Sequence, residues 1–452
     1  MLDYLPLEIV LLSLMATYES WGRFPKVSQQ IYPLGWRTDT LPSHENTSLL
    51  PYGMGRSYGD VCLNANGTLL ATRQLNRFIS FDPEQGILCC EAGVSFDEIL
   101  SFAVPRGWFL PTTPGTRFIT VGGAIGNDVH GKNHHRAGTF GKHVRRFELV
   151  RSNGERLICS PTENTELYKA TIGGLGLTGL ITWAEFGLKP ILHRAMSSET
   201  IRFGDLEEFF ELSRQSDKEY EYTMSWVDCS SQGKHLGRGI FFRGNHVTQD
   251  EVPSHWKAPS KRLTMPMDLP SFALNKLSVR AFNILYYNQQ QRKSIKGLTD
   301  YEPFFYPLDA VLEWNRLYGK KGFLQYQCVV PYQDHVAIRE ILQEIAAMGS
   351  SSFLAVLKTF GEVESPGMLS FPRKGVTLAL DFPIKGAGTF ELLDRLDARV
   401  RDAGGAVYPC KDARLSPQNF QAYYPQWQAF AAHIDPAFSS SFWRRVTREI
   451  YA

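Results

Sequence analysis

The segment VGGAIGNDVHGKNHHRAGTFGKHV, from Val121 to Val144, contains six glycines and four histidines in 24 residues. Glycines at this density allow the backbone to approach a ligand closely, because they carry no Cβ and adopt positive φ without strain. Histidines at this density are typical of metal or proton chemistry. The segment is therefore compatible with two interpretations, a backbone cradle for a ligand and a metal site.

The glycines continue on both sides of this segment. Four glycine clusters lie in the first 190 residues: PYGMGRSYGD (51–60), TPGTRFITVGGAIGNDVHG (113–131), HGKNHH (130–135) and TIGGLGLTGL (171–180). Turns of this kind expose backbone N–H groups that bind phosphate oxygens, and Arg56 and Ser57 could add charge and a hydroxyl. The spacing is not that of a Rossmann fingerprint. Four clusters in one β-rich region indicate an extended ligand such as a dinucleotide.

The histidines fit a metal site poorly. His130, His134 and His135 lie within six residues, but the HExxH pattern of a zinc helix is absent and Gly131 argues against a continuous helix. We expect no metal. His130, next to the glycine run, is the functional candidate and would position a cofactor or substrate, whereas His134 and His135 are equally compatible with a structural role.

The composition limits the class of protein. A chain of 452 residues exceeds one ordinary core, so two or three domains are expected. The net charge of +2, without a polybasic block, argues against a nucleic-acid partner. The seven cysteines have no CxxC spacing, which favours free thiols and a reducing, cytoplasmic compartment.

The N-terminal segment LPLEIVLLSLMA, from Leu5 to Ala16, is apolar but contains Glu8 and is shorter than the roughly 20 residues of a membrane span. No Lys or Arg precedes Arg23, unlike in a signal peptide. We expect a short docking helix. Alternatively, Met15 is the true start and residues 1–14 are not native.

Local patterns predict an α+β fold. Hairpins are expected around Asp82 to Gly86 and around Asn153-Gly154, and a helix begins at the capping box of Ser95 and Glu98. Residues 246–297 are irregular, basic and apolar, and are expected to form a flap or long loop. From FLQYQCVVP to AVYPC the order is β-α-β-β-α-β, a split ferredoxin-like pattern. The last forty residues are expected to return to the first domain.

Polar side chains in the second half are further candidates. Gln325 and Gln327 alternate on one face of a strand, where they could bind a polyol or be solvated. Lys411 follows an apolar strand, where it could be a reactive group or a surface ion-pair partner. The G-x-S-x-G pattern of a serine hydrolase is absent.

Several motifs together resemble one family. GRSYGD, TVGGAI, HGKNHH, PLD with EWNR and GFLQYQ, LSFP and DFPI are all present. The chain resembles the FAD-dependent oxidases of the vanillyl-alcohol-oxidase type, with a PCMH-type FAD domain, and looks most like the decaprenylphosphoryl-β-D-ribose 2′-oxidases. The resemblance extends from Trp21 over nearly the whole chain. It implies a two-lobed FAD-binding domain formed by residues 1–192 and 406–452, and a substrate domain, 193–405, with an antiparallel sheet and helices on one face.

The resemblance also implies roles for individual residues. The catalytic residues would be Lys411 and His130. FAD would be bound noncovalently, although His130 is a nucleophile in a suitable place for a covalent bond. The residues that would bind FAD are Gly53, Met54, Gly55, Arg56, Ser57, Tyr58, Gly59, Gly115, Thr120, Val121, Gly122, Gly123, Asn127, Val129, His130, Gly176, Leu180 and Tyr408. The substrate would contact Lys132, Trp226, Phe305, Gln325, Gln327, Thr377 and Ala379.

Two departures lie on the substrate side. Where mycobacterial members have Asn-Ile-Cys, this chain has Thr377-Leu378-Ala379, and a tyrosine of the family is replaced by Phe305. These changes leave the redox chemistry intact and bear on the identity of the sugar and lipid.

The resemblance implies FAD-dependent oxidation of a sugar secondary alcohol to a ketone. The expected substrate is the 2′-hydroxyl of a polyprenyl-phosphoryl-β-D-ribose, in precursor synthesis for cell-wall polysaccharide. An NAD(P)-dependent ketoreductase would complete a net epimerisation. The basic and apolar residues 246–297 are compatible both with a flap that admits a lipid-linked phosphate from the inner face of the membrane and with an ordinary disordered loop. The alternatives are an oxidase of a soluble sugar, polyol or aldonolactone, and a flavin-binding protein without catalysis.

Overall fold

A computed structural model of the chain describes residues 18–253, 256, 263–270, 274–349 and 352–448. The predicted docking helix at Leu5 to Ala16, and the alternative start at Met15, lie outside these residues. Within the described ranges, no helix is both long enough and apolar enough to cross a bilayer.

Twenty strands occur in the described residues. In chain order they are β1 Gln30–Pro33, β2 Leu49–Tyr52, β3 Thr68–Ala71, β4 Phe78–Asp82, β5 Ile87–Glu91, β6 Trp108–Phe109, β7 Val144–Val150, β8 Arg156–Cys159, β9 Leu180–Gly187, β10 Lys189–Pro190, β11 Ala195–Phe203, β12 Tyr222–Val227, β13 Gly239–His246, β14 Leu263–Thr264, β15 Ser294–Asp300, β16 Val311–Leu312, β17 Phe323–Val330, β18 Ala355–Phe360, β19 Gly375–Pro383 and β20 Ala406–Val407.

The same residues form twelve α-helices. They are α1 Phe96–Ala103, α2 Val121–Gly126, α3 His134–Ala137, α4 Thr165–Thr171, α5 Leu206–Ser216, α6 Lys276–Gln289, α7 Tyr301–Phe305, α8 Val336–Met348, α9 Ala387–Asp402, α10 Pro417–Tyr423, α11 Trp427–Ala431 and α12 Ser441–Thr447.

Two sheets dominate the fold. The first has five antiparallel strands in the order β4-β5-β9-β7-β8, and the second has eight in the order β15-β11-β13-β12-β18-β19-β17-β20. A small parallel sheet, β1-β3-β2, lies before the first. The mixture of helices and largely antiparallel sheets confirms the predicted α+β class.

The local predictions for the first half are confirmed. Strands β4 and β5 form a hairpin around Asp82 to Gly86, and β7 and β8 form another around Asn153-Gly154. Helix α1 begins at the capping box, in which Ser95 Oγ accepts from the N–H of Glu98 and the Glu98 carboxylate accepts from the N–H of Ser95.

The predicted β-α-β-β-α-β order is also confirmed. It consists of β17, α8, β18, β19, α9 and β20, which lie side by side as β18-β19-β17-β20. Leu324, Tyr326 and Cys328 point to one face of the sheet, where they share a core with residues of helices α8 and α9 such as Ile341 and Leu396. Since side chains alternate along a strand, Gln325 and Gln327 point to the opposite face.

The prediction of a flap or long loop over residues 246–297 is wrong for part of that range. Residues 276–289 form helix α6, which is capped by Asn275 and Ser278, and β15 begins at Ser294. The buried positions of α6, Val279, Asn283 and Tyr287, are four residues apart. Apolar residues on the exposed side obscure this periodicity in the sequence.

The C-terminal helices pack against the first part of the chain. A single apolar core runs from Leu50 through Leu378 to Phe442. Strand β2 also forms a bridge through Leu49 to Phe438. These contacts bring the glycine-rich turns of the first 190 residues against the polar face of the eight-stranded sheet.

Candidate active site

A cavity of about 340 Å³ lies between the glycine-rich turns and the eight-stranded sheet. This volume is within the range of small-molecule and cofactor sites. Its walls are the turn after β2, helix α2, the segment 129–132, residues 305–309, the polar face of the sheet and the segment after β20. All four predicted glycine clusters contribute to the lining.

The turn after β2 needs its glycines for close packing. A Cβ on Gly53 would lie 2.4 Å from Thr120 Oγ1, and one on Gly55, at φ +61°, would lie 2.0 Å from Tyr52 Oη. Thr120 in turn caps helix α2 by accepting from the N–H of Gly123. The turn and the helix therefore approach each other closely enough to form one continuous wall.

Polar atoms in this wall lack protein partners. Neither Arg56 Nε nor Asn127 Oδ1 has a hydrogen-bond partner among the described residues, although both are buried and both residues line the cavity. Arg56 stacks on Trp21 at 3.8 Å, and Asn127 O accepts from Tyr408 Oη at 2.7 Å. Since buried polar groups are normally paired, these atoms indicate a polar ligand that completes the wall.

His130 lies at the junction of the two walls. Its ring packs against Phe360, Phe371 and Tyr408, and its Nε2 is 3.0 Å from Nε2 of Gln327. Burial lowers the pKa of His130 well below its usual value. The imidazole is therefore neutral and accepts a hydrogen bond from the Gln327 amide.

Three lysines converge on the cavity from separate parts of the chain. Lys132 Nζ donates to the carbonyl of Phe305 at 3.0 Å, Lys358 Nζ donates to the carbonyl of Gly131 at 2.9 Å, and Lys411 lies close by. Burial lowers the pKa of Lys132 to about 8. Burial and the charges of Lys132 and Lys411 lower that of Lys358 to about 7. Such a cluster favours an anionic ligand.

Lys411 also has an acidic neighbour. Its Nζ lies 3.8 Å from the centre of the Tyr58 ring, and burial lowers its pKa while the charge of Asp381 opposes that effect. The buried Asp381 carboxylate accepts from Gln325 Nε2 at 2.5 Å and from Tyr318 Oη at 3.2 Å. Burial raises the pKa of Asp381 to about 7.

The eight-stranded sheet sets this arrangement through its register. Gln325 is opposite Asp381 and Gln327 is opposite Ala379 across β17 and β19. Lys358 is opposite Thr377 across β18 and β19. Directly opposed residues of antiparallel strands share a face, so these side chains all lie on the cavity side.

Comparison with known proteins identifies the family. Decaprenylphosphoryl-β-D-ribose oxidase of Mycolicibacterium smegmatis is 39% identical over 409 residues, which are 87% of this chain and 88% of the relative. The chain belongs to this family of oxidases. A family profile described as an FAD binding domain also matches residues 40–160.

Other relatives of the oxidase extend the comparison. An uncharacterised protein of Streptomyces coelicolor is 31% identical over 78% of this chain and 100% of the relative. A putative D-arabinono-1,4-lactone oxidase of Neurospora crassa is 27% identical over 35% of this chain and 28% of the relative. The protein is an FAD-dependent oxidoreductase, and the unpartnered Arg56 and Asn127 atoms in the glycine-rich wall fit its cofactor.

Most of the predicted site residues of the oxidase line the cavity. They are Gly53, Met54, Gly55, Arg56, Ser57, Tyr58, Gly115, Thr120, Gly122, Gly123, Asn127, Val129, His130, Gly176 and Tyr408 of the predicted FAD set, and Lys132, Phe305, Gln325, Gln327, Ala379 and Lys411 of the others.

Five predicted residues are not part of the lining. Gly59 packs against the C-terminal segment, where a Cβ would lie 1.7 Å from the Asp412 carbonyl oxygen, and Val121 and Leu180 are core residues. Trp226 Nε1 donates to Phe353 O and its ring packs on Tyr286. Thr377 does not line the cavity but contacts a residue that does, because its hydroxyl accepts a hydrogen bond from Gln327 Nε2 at 3.3 Å.

Lys358 and Asp381 are among the residues of the site that were not singled out from the sequence. Each is the one charged residue within an apolar strand, in the motifs FLAVLKTFG and GVTLALDFPI. Since burial of an unpaired charge is costly, a single charge in an apolar strand is a usable signal of a polar cavity.

The other histidines of the opening segment lie away from the cavity. His134 packs on Phe360 at 4.5 Å, and burial lowers its pKa to about 3, whereas His135 contacts the carbonyl of Tyr220. In the part of the chain that the structure describes, no three His, Cys, Asp or Glu side chains are grouped as metal ligands.

Proposed function

We propose that this enzyme oxidises the 2′-hydroxyl of a polyprenyl-phosphoryl-β-D-ribose to a ketone. The observation that carries the proposal is the 39% identity, over 87% of the chain, to a decaprenylphosphoryl-β-D-ribose oxidase. The three lysines of the cavity support it, because the proposed substrate carries a phosphate beside the sugar.

The turn after β2 and helix α2 would hold FAD, and the bound cofactor would supply the acceptor for the hydride of the carbinol carbon. Lys411 provides a positive charge that favours the negative charge developing on the sugar oxygen as its proton leaves, or accepts that proton in its neutral form. Lys132 and Lys358 hold the phosphate. The amide of Gln325 donates a hydrogen bond to Asp381, and the amide of Gln327 donates one to His130. These hydrogen bonds orient the two amides toward the sugar hydroxyls.

A two-lobed FAD domain is part of the same proposal. Residues 1–192 and 406–452 would bind FAD, and residues 193–405 would bind the substrate. The pairing of Arg445 with Asp60 and Asp412, both at 2.7 Å, supports a single unit made of the two outer segments.

We further propose that the enzyme works at the inner face of the membrane, with an NAD(P)-dependent ketoreductase that reduces the ketone from the other face of the sugar. This pairing follows from the chemistry, since oxidation and reduction at one carbon give net epimerisation. FAD is expected to be bound noncovalently, because His130 is already enclosed by three aromatic rings and Gln327.

The proposal is tested by the visible spectrum of the purified protein under anaerobic conditions. Addition of a polyprenyl-phosphoryl ribose should bleach the oxidised flavin band, whereas free ribose should not. Bleaching by D-arabinono-1,4-lactone or another soluble sugar, but not by the lipid-linked ribose, would replace the proposed substrate with the soluble class suggested by the Neurospora crassa relative.

A further inference from the structure

Exposed apolar side chains are concentrated in one part of the described chain. Of fourteen large apolar residues that are exposed, seven lie between residues 263 and 295. Single exposed apolar residues are normal on a protein surface, but a cluster of them marks an interaction surface. The seven are Leu263, Met267, Leu277, Phe282, Ile284, Leu285 and Ile295.

Helix α6 carries most of this surface. Its inner face packs through Val279, Asn283 and Tyr287, which are buried. On its outer face Leu277 and Leu285 are 78% and 71% exposed. They lie eight residues apart, which is slightly more than two helical turns. Ile284, seven residues after Leu277, lies about 20° from it around the helix, on the side away from Leu285. The helix therefore exposes large apolar side chains on the face turned away from the protein, alongside the exposed Ser278 and Asn288.

The charged side chains of helix α6 are all cations. Helix α6 contains Lys276 and Arg280, both exposed, and no carboxylate. The segment 246–297 contains eight Lys and Arg residues and three Asp and Glu residues, while the whole chain has a net charge of only +2. An apolar helix face bordered by cations is suited to an anionic lipid surface.

The surface is continuous with the cavity. Strand β14, which holds the exposed Leu263, pairs with β16, and the N–H of Leu269 donates to the carbonyl of Arg316. The neighbouring residues Leu308 and Trp314 line the cavity.

Aromatic rings make a second connection between helix α6 and the cavity. Phe282 contacts Phe353 at 5.7 Å, and Phe353 stacks on Tyr318 at 5.7 Å. Tyr318 stacks on Phe323, and Phe323 contacts Tyr58 below Lys411.

We infer that the outer face of helix α6, together with Leu263 and Met267, docks on an anionic lipid bilayer. Docking there brings the cavity next to the membrane surface, where a lipid-linked sugar phosphate would reside. The biological role of this docking, access to a lipid-linked substrate, rests on the proposed function. The docking itself depends only on the exposed surface, and it can be measured without substrate.

The test is cosedimentation of the full-length protein with vesicles of phosphatidylcholine and phosphatidylglycerol, without substrate. The double variant L277Q/L285Q should bind at least about tenfold more weakly than the parent, because two apolar side chains are removed from the interface. K276Q/R280Q should lose the preference for phosphatidylglycerol over phosphatidylcholine alone. The matched control is L192Q, since Leu192 is 75% exposed outside this surface.

Equal vesicle binding by the parent and L277Q/L285Q, or no binding by the parent, overturns the inference. A parent dimer that L277Q/L285Q converts to a monomer, without vesicle binding, would assign the face to a second copy of the chain and also overturn it. Turnover of a short-chain, water-soluble substrate should be equal in parent and variant. If neither oxidises any lipid-linked ribose, the proposed substrate fails while the vesicle result stands separately.

Discussion

The amine of Lys411 lies in an environment with opposing effects. Burial favours its neutral form, while the charge of Asp381 favours its protonated form. The Asp381 carboxylate is held by Gln325 and Tyr318, so its position relative to the lysine is fixed by the sheet. A lysine poised in this way can respond to charge that develops on a substrate oxygen.

Replacing Lys411 should separate cofactor binding from catalysis. We expect Lys411→Ala to retain bound FAD and its visible spectrum, and to lower kcat by about 10²- to 10⁴-fold, the usual effect of losing a positioned acid or base. Stopped-flow reduction of the flavin measures this. Lys142→Ala, at an exposed lysine, is the control. An unchanged rate in Lys411→Ala would remove the residue from the mechanism.

Replacing Asp381 should act through Lys411. In Asp381→Asn the negative charge is lost while the size and the contact from Gln325 are kept. The charge of Asp381 raises the pKa of Lys411. In the variant, the part of the dependence of kcat on pH that reports the ionisation of Lys411 should therefore move to lower pH. The difference should be greatest above about pH 7, where Asp381 itself is ionised. Asp334→Asn, at an exposed carboxylate, should leave the profile in place.

Lys358 should make substrate affinity depend on pH. Burial lowers its pKa to about 7, so its positive charge is lost as the pH rises through that value. KM for a phosphate-bearing substrate should therefore rise, by up to about tenfold between one pH unit below and one above. In Lys358→Arg this dependence should become much weaker, because guanidinium remains protonated. A KM that does not change with pH in the parent would contradict the role.

Among the elements, the turn after β2 and helix α2 form the wall that is expected to hold FAD. Their contact depends on glycine at position 53, where the adjoining Thr120 hydroxyl leaves no space for a Cβ. The wall is thus formed by two short pieces of backbone that can approach each other only without side chains.

Gly53→Ala should weaken FAD binding. The added Cβ would lie 2.4 Å from Thr120 Oγ1, and relief of such a contact costs about 1–3 kcal/mol, which corresponds to roughly 5- to 150-fold in the dissociation constant. Fluorescence titration of the apoprotein with FAD measures the change. Gly388→Ala in helix α9, where nothing lies within 4 Å, should bind FAD normally. Equal affinities in the two variants would show that the turn tolerates displacement.

At the scale of the whole molecule, the last helices of the chain pack against its first part. Arg445 of α12 pairs with Asp60 from the first part of the chain and with Asp412 after β20, both of them buried. It also donates to the carbonyl of Leu415. One side chain therefore joins three segments beside the turn that follows β2.

Arg445→Met should destabilise the protein by about 3–5 kcal/mol, because it leaves two buried carboxylates without their cation. Urea unfolding in the presence of excess FAD measures the loss. Arg339→Met is the control, since its exposed pair with Glu207 contributes about 0–1 kcal/mol. If the free energy of unfolding falls by the same small amount in both variants, the ion pairs of Arg445 do not stabilise the packing of the last helices against the first part of the chain.

The sequence alone determined the features that depend on neighbours along the chain. The hairpins, the capping box of Ser95 and Glu98, the β-α-β-β-α-β order and the glycine-rich turns all follow from local periodicity and backbone freedom, which tertiary context did not override. Helix α6 was missed because its two apolar faces hide the period on which such predictions depend.

Only the tertiary structure decided which side chains meet. Lys132, Lys358 and Lys411 belong to separate elements, and their convergence depends on strand register and on how the glycine turns pack against the sheet. The same register places Asp381 beside Gln325, while the packing of α6 takes Trp226 away from the cavity lining. Such contacts are set by the packing of distant segments, and a pattern along one segment carries no information about the side chain that another segment brings to it.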